Sequence, residues 1–145
     1  MENIIEPTSD FNFNKLNLES PSPLHNGTFF TKISYTDKKL PLYIQLPKCK
    51  SKNGIVKNSS SKKSYIDLLF NYYETELLSW FENLENRCTE LIHNKKDTWF
   101  QTDITLDDIE SLFISSTKSY KSGKFITIRA YIPSSKQIKQ EYCMI

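Results

Sequence analysis

The feature that most restricts how this 145-residue chain can fold is a change of hydrophobic period at Asn71. Upstream, SYIDLLF alternates, with Ile66, Leu68 and Phe70 facing one way, the period of a strand. Downstream, NYYETELLSWFENLENRCTELIHNKK places Leu77, Leu78, Phe81, Leu84, Cys88, Leu91 and Ile92 on one helical stripe. This spacing predicts a helix over about 73–95, with Trp80 beside the stripe. Glu74 and Glu76 in its first turn and Lys95 and Lys96 in its last would suit the helix dipole. One apolar stripe and several one-faced strands must bury against each other, so the expected class is α+β with a mainly antiparallel sheet.

Other segments follow the same logic. TFFTKISY sets Phe29, Ile33 and Tyr35 against Lys32 and Ser34. LPLYIQLP reads as a half-buried strand, with Leu40, Leu42, Ile44 and Leu46 on one face and Tyr43 and Gln45 on the other; Pro41 and Pro47 mark its ends or an edge. KCKSKNG reads as a basic loop, GIVK as a short strand and KNSSSKK as a polar hairpin loop. TLDDIESLF predicts a second, shorter helix, capped by Thr105 with Asp108 three residues on and burying Ile109, Leu112 and Phe113. TKSYKSGK is a basic turn around Gly123, KFITIRAYIP a strand, and QIKQEYCMI one more strand, within which the sequence stops, either as a natural end or as a truncation. Residues 1–27 read as a mostly disordered or extended leader whose Phe11, Phe13, Leu16 and Leu18 could dock as a strap, and 28–145 as a single domain. A partly open barrel with the helix between its middle strands fits this order, and so does a sheet with helices on one face.

Charge is segregated. Residues 1–24 hold four acids and one base, 25–64 nine Lys and one acid, 65–110 eleven acids and three bases, and 111–145 six bases and one acid. Two basic blocks therefore flank an acidic one. Only Arg87 and Arg129 among the 19 basic residues are Arg, and Ala130 is the sole Ala, a usage that AT-rich coding explains. Cys49, Cys88 and Cys143 are odd in number and widely spaced, so no disulfide framework follows. The first residues lack a secretory pattern and no apolar run approaches the ~20 residues of a membrane span, so a reducing cytosolic or nuclear compartment and no membrane partner are expected.

Chemistry-bearing motifs are scarce. His25 and His93 stand at no metal-ligand spacing, and there is neither GxxxxGK[ST] nor GxGxxG. Asp107 and Asp108 are explained by a helix N-terminus, and Cys88 by the apolar stripe. No nucleophile, base and orienter come together, so neither an enzyme nor a cofactor is expected.

One constellation stands out. If Ile126, Ile128, Ala130 and Ile132 face the core, then Phe125, Thr127, Arg129 and Tyr131 share the opposite face. Rings and a cation on a sheet face can stack unpaired bases. Tyr43 and Gln45 hold the equivalent face of their own strand, and lysines 48, 50, 52 and 57 with 118, 121 and 124 could form a phosphate track. The competing expectation is that the long helix covers this face.

LYIQLPKCKSKNGIVK, KSYIDLLF, the helix with ENLENRC and ELI, DTWF, and YKSGKFITIRAYIP together resemble a protein group of nucleo-cytoplasmic large DNA viruses, similar in turn to the single-stranded-DNA-binding proteins of short-tailed phages. The resemblance covers about residues 28–133 and rests on mostly core-forming motifs. It implies a five-stranded OB-like barrel with an inserted helix, and coating of single-stranded DNA during viral replication or recombination in the host cytoplasm or nucleus. It places stacking and phosphate contacts on Tyr43, Lys48, Lys50, Lys52, Lys57, Lys121, Lys124, Phe125, Arg129 and Tyr131. The phage proteins end in an acidic tail tipped by an aromatic residue; QEYCMI has no acidic run, so recruitment of replication partners by such a tail is not expected unless the sequence is truncated. The alternatives are a virion-associated structural or protein-interaction module, such as a minor capsid or scaffold component, and an accessory subunit of an enzyme.

Overall fold

The computed structural model describes residues 4–25, 27–58 and 63–132. These group into two compact units. The first holds residues 4–46 and 79–114, and the second 47–78 and 115–132. The class is α+β with mostly antiparallel sheets and, among the described residues, no closed barrel. The expected strand at 137–145, Cys143, Asn26 and the loop residues 59–62 lie outside the described residues.

In the first unit the strands are short: β1 Ile4–Ile5, β2 Leu16–Leu18, β3 Ser22–Pro23, β4 Phe29–Phe30, β5 Ile33–Tyr35, β6 Leu40–Pro41 and β7 Tyr43–Ile44. β5 lies between β2 and β6, β3 pairs with β4, and β1 runs parallel to β7. The single strand expected over LPLYIQLP is thus two pieces in different sheets. Pro41 has no N–H to continue a ladder, and the chain leaves one sheet for another just after it. TFFTKISY also divides. Phe29 is 68% exposed, whereas Ser34, expected outward, is buried at the centre of its sheet and donates its hydroxyl to Glu19 Oε2 at 2.6 Å.

Residues 4–25 carry regular structure where an extended leader was expected, and the docking strap describes their role. Leu16 and Leu18 are core residues with Cys88 and Leu91, and Phe11, Phe13, Ile33, Tyr35, Leu42, Leu84, Ile92 and Trp99 pack around them. Phe11 stacks on Tyr35 at 5.1 Å and meets Phe13 and Trp80 edge-on at 4.8 and 5.3 Å. Two bases from the acidic block fasten this segment: Arg87 Nε donates to the Phe13 carbonyl at 3.0 Å, and Lys95 Nζ to the Leu18 carbonyl at 2.9 Å. Lys95 was expected to complement a helix end; its ammonium serves the strap.

The helix of the stripe, α1, spans Thr75–Asn94. Its residues to Leu78 group with the second unit and the remainder with the first. Trp80 and Phe81 are almost fully buried. α2 follows at Lys96–Trp99, an element without a sequence signal of its own. α3, Leu106–Leu112, carries the expected capping box, in which Thr105 Oγ1 accepts from the Asp108 N–H and Asp108 Oδ2 from the Thr105 N–H. Its buried face is narrower than expected. Ile109 is buried, but Leu112 is 81% exposed and Phe113 lies beyond the helix, itself exposed. A helix of seven residues makes too few turns to repeat its inward position.

The second unit is one antiparallel sheet of three long strands, β8 Lys50–Asn58, β9 Lys63–Asn71 and β11 Phe125–Ile132, and a short one, β10 Thr117–Tyr120, in the order β10-β11-β9-β8. The segment expected as a basic loop, KCKSKNG, mostly belongs to β8, whose register shifts between Ser51 and Ile55. This bulge accommodates Gly54 at φ +67°, a backbone that side chains rarely adopt. β10 occupies much of the expected basic turn, which shrinks to Lys121–Lys124 and runs through Gly123 at φ +87°.

Candidate nucleic-acid interface

β9 and β11 are in continuous antiparallel register from Phe125↔Asn71 to Ile132↔Ser64. Ile128 and Ala130 are 0% and 2% exposed, which marks the covered face. By the two-residue period their neighbours Phe125, Thr127, Arg129 and Tyr131 share the other face with Asn71, Leu69, Asp67 and Tyr65. β10 adds Lys118 opposite Thr127 and Tyr120 opposite Phe125. β8 adds Lys50 opposite Leu69 and Val56 opposite Tyr65. This outer face is open at its Arg129 end: the Arg129 side chain is 46% exposed and Tyr131 is 41% exposed, while Phe125 is half-buried.

Arg129 is the centre of the face. Its Nε and Nη2 donate to Asp67 Oδ1 and Oδ2 at 2.8 and 3.1 Å, a two-pronged pair across the strands. Its Cζ sits 3.8 Å from the centroid of the Tyr65 ring, and the Tyr65 and Tyr131 rings meet edge-on at 6.4 Å. The bonds from Arg129 hold the Asp67 carboxyl below the usual carboxylate range, helped by the charges of Lys52 and Lys118. The bonds to Asp67 push Arg129 still further upward, so the guanidinium is permanently charged. Lys52, on one edge strand, brings Nζ to 4.4 Å from the ring centroid of Tyr120, on the other edge strand. Strand spacing alone separates those edges by about 14 Å, so the two side chains reach toward each other across the outer face.

The residues singled out from the sequence separate into three groups. Phe125, Arg129, Tyr131, Lys50 and Lys52 belong to the outer face or its edge. Lys121 and Lys124 are exposed in the β10–β11 turn, with Lys121 Nζ 5.7 Å from the Tyr120 ring, and Lys48 is exposed ahead of β8. Lys57 faces the opposite side, because the bulge brings it opposite Ser64, the partner of Ile132. Tyr43 lies on β7 in the first unit and is not a member of this sheet. Sequence reasoning missed Tyr65, Asp67 and Tyr120. The alternation that turned Ile66, Leu68 and Phe70 inward already placed Tyr65 and Asp67 on the reverse face; joining them to Arg129 required the strand register.

Among the described residues no three His, Cys, Asp or Glu side chains cluster as metal ligands, and no helix is long and apolar enough to cross a membrane. No protein-family profile, curated protein or solved structure matches the chain.

Proposed function

We propose that this chain binds single-stranded DNA without sequence preference, through the outer face of its four-stranded sheet. The observation that carries this reading is the pair of exposed side chains Arg129 and Tyr131 on a sheet face that also presents Tyr65 and Tyr120 and is rimmed by Lys50, Lys52 and Lys118. Rings accept any base, because every base has a π-face, and the lysines neutralise phosphates. Part of the same proposal is an OB-like arrangement of the sheet and a role in viral DNA replication or recombination in the host cytoplasm or nucleus, both of which follow from the resemblance of sequence.

The test is a fluorescence-anisotropy titration of a labelled dT oligonucleotide longer than ~16 nucleotides, at two salt concentrations. Affinity should fall steeply with salt, with a log–log slope near −0.7 for each phosphate neutralised. Tyr131→Ala should weaken binding by about 1–3 kcal/mol. Absence of binding, or affinity indifferent to ionic strength, overturns the proposal.

One observation favours the second reading, a virion-associated or scaffold module that contacts protein. Leu112 and Ile114 in the first unit are 81% and 83% exposed, unusual for large apolar side chains close together in sequence. Finding the chain in the shell of purified particles, with no affinity for oligonucleotides, would select that reading.

A further inference from the structure

We infer that Arg129 recognises an unpaired base with the plane of its guanidinium, not a phosphate with its N–H edge; the inference rests on the nucleic-acid reading above. Bidentate phosphate recognition uses two parallel N–H groups, along either the Nε/Nη2 side or the Nη1/Nη2 end of the guanidinium. In this structure the Nε/Nη2 side is taken by both Asp67 oxygens, and their negative charge weakens the pull of the remaining end on a phosphate. One side of the group is also taken, since Cζ stands 3.8 Å from the centroid of Tyr65. The side chain nevertheless remains 46% exposed. What it offers to a ligand is the plane turned away from Tyr65 and the Nη1 end, with the Tyr131 side chain also in hydrogen-bond reach of the guanidinium. A flat cation fixed at its fork and backed by a ring is a stacking plate, and guanidinium planes stack on bases.

Asp67 contributes more than orientation. Its carboxylate offsets the Arg129 charge locally, so a phosphate gains little there, while Lys50, Lys52 and Lys118 remain for the backbone. Division of labour follows: lysines on the rim hold the strand, and Arg129 with Tyr131 holds bases. In this chain Lys is by far the commoner cation, yet both Arg residues use two N–H groups at once, Arg87 on the Phe13 carbonyl and Glu90 and Arg129 as a fork on Asp67. The ligand class is accordingly unpaired bases. A duplex keeps its bases stacked on each other and leaves the plate without a partner.

The discriminating variant is Arg129→Lys, which keeps the charge and removes the plane. Titrations with the labelled dT oligonucleotide over a salt series should show it roughly 5- to 150-fold weaker than the unaltered protein at every salt, with the salt slope unchanged. Binding within twofold of the unaltered protein would show that charge alone matters and overturn the inference, while leaving the proposed function standing. Failure of the unaltered protein to bind at all overturns both. A second variant guards against loss of folding: Asp67→Asn frees the fork for phosphate, so its salt slope should steepen by about 0.7 with no loss of affinity. An unchanged slope in that variant shows that Asp67 is not what keeps phosphate from the fork and overturns that part of the inference, and equal affinity of the unaltered protein for a dA·dT duplex overturns the whole of it.

Discussion

In the first unit, strands of two and three residues are pinned by rings and by side chains that reach backbone carbonyls; in the second, strands of four to nine residues are held by their own ladder. The first buries Leu16, Leu18, Trp80 and Phe81 around a cluster of aromatic contacts, and away from its helices much of its backbone is irregular. The second buries one side of its sheet at Phe70, Ile128 and Ala130 and leaves the other for use. A unit that depends on side-chain fit is intolerant of change but needs no exposed face. A unit whose backbone is already satisfied can vary the side chains of its free face at little cost to its fold. That is where a binding surface can reside.

This comparison can be broken by experiment. The largest effect is expected in the first unit: Phe81→Ala should cost about 3–5 kcal/mol in urea unfolding followed by circular dichroism, because Phe81 is 1% exposed and edge-on to Trp80. Tyr131→Ala in the second unit should cost stability much less than it costs binding. If the two variants destabilise equally, the contrast is wrong. A smaller change sharpens it: Thr105→Ala removes one half of the α3 capping box and should lower stability by about 1 kcal/mol, without altering oligonucleotide affinity. The smallest concerns acid. The folded Asp67 ionises below its unfolded value, so its contribution is present above about pH 4 and is lost as pH falls through the folded value. Because Arg129 is largely exposed, the pair is worth only about 0.2–1 kcal/mol. Comparing the acid limb of stability in the native chain and Asp67→Asn should show the native chain losing slightly more.

How far the fold could be read from the sequence follows the same division. The second unit was legible where period two persisted, and SYIDLLF and KFITIRAYIP became β9 and β11. The first unit was legible at α1, at the α3 cap and in the strap of Phe11, Phe13, Leu16 and Leu18, but not in its strands, since two or three residues are too short to display a period. LPLYIQLP alternates cleanly but is divided between two sheets, because pairing partners, not alternation, decide where a strand ends. The basic segment after Pro47 was read as loop from its lysines and Gly54; it is an edge strand with a bulge, a place where lysines and glycine are both at home. Arg129 and Tyr131 were legible as an outward pair, whereas Asp67, which sets how Arg129 can be used, is 62 residues away in sequence and enters only through register.

The bulged β8 has one further consequence. Among the described residues it terminates the sheet, and an unprotected terminal strand invites another polypeptide to hydrogen-bond along it and assemble into aggregates. Lys50, Lys52 and Lys57, with the kink at Gly54, repel and misalign such a newcomer. Replacing these lysines by Gln would therefore do two things at once, slowing capture of polyanions and promoting self-association, so light scattering belongs beside every affinity measured on such variants.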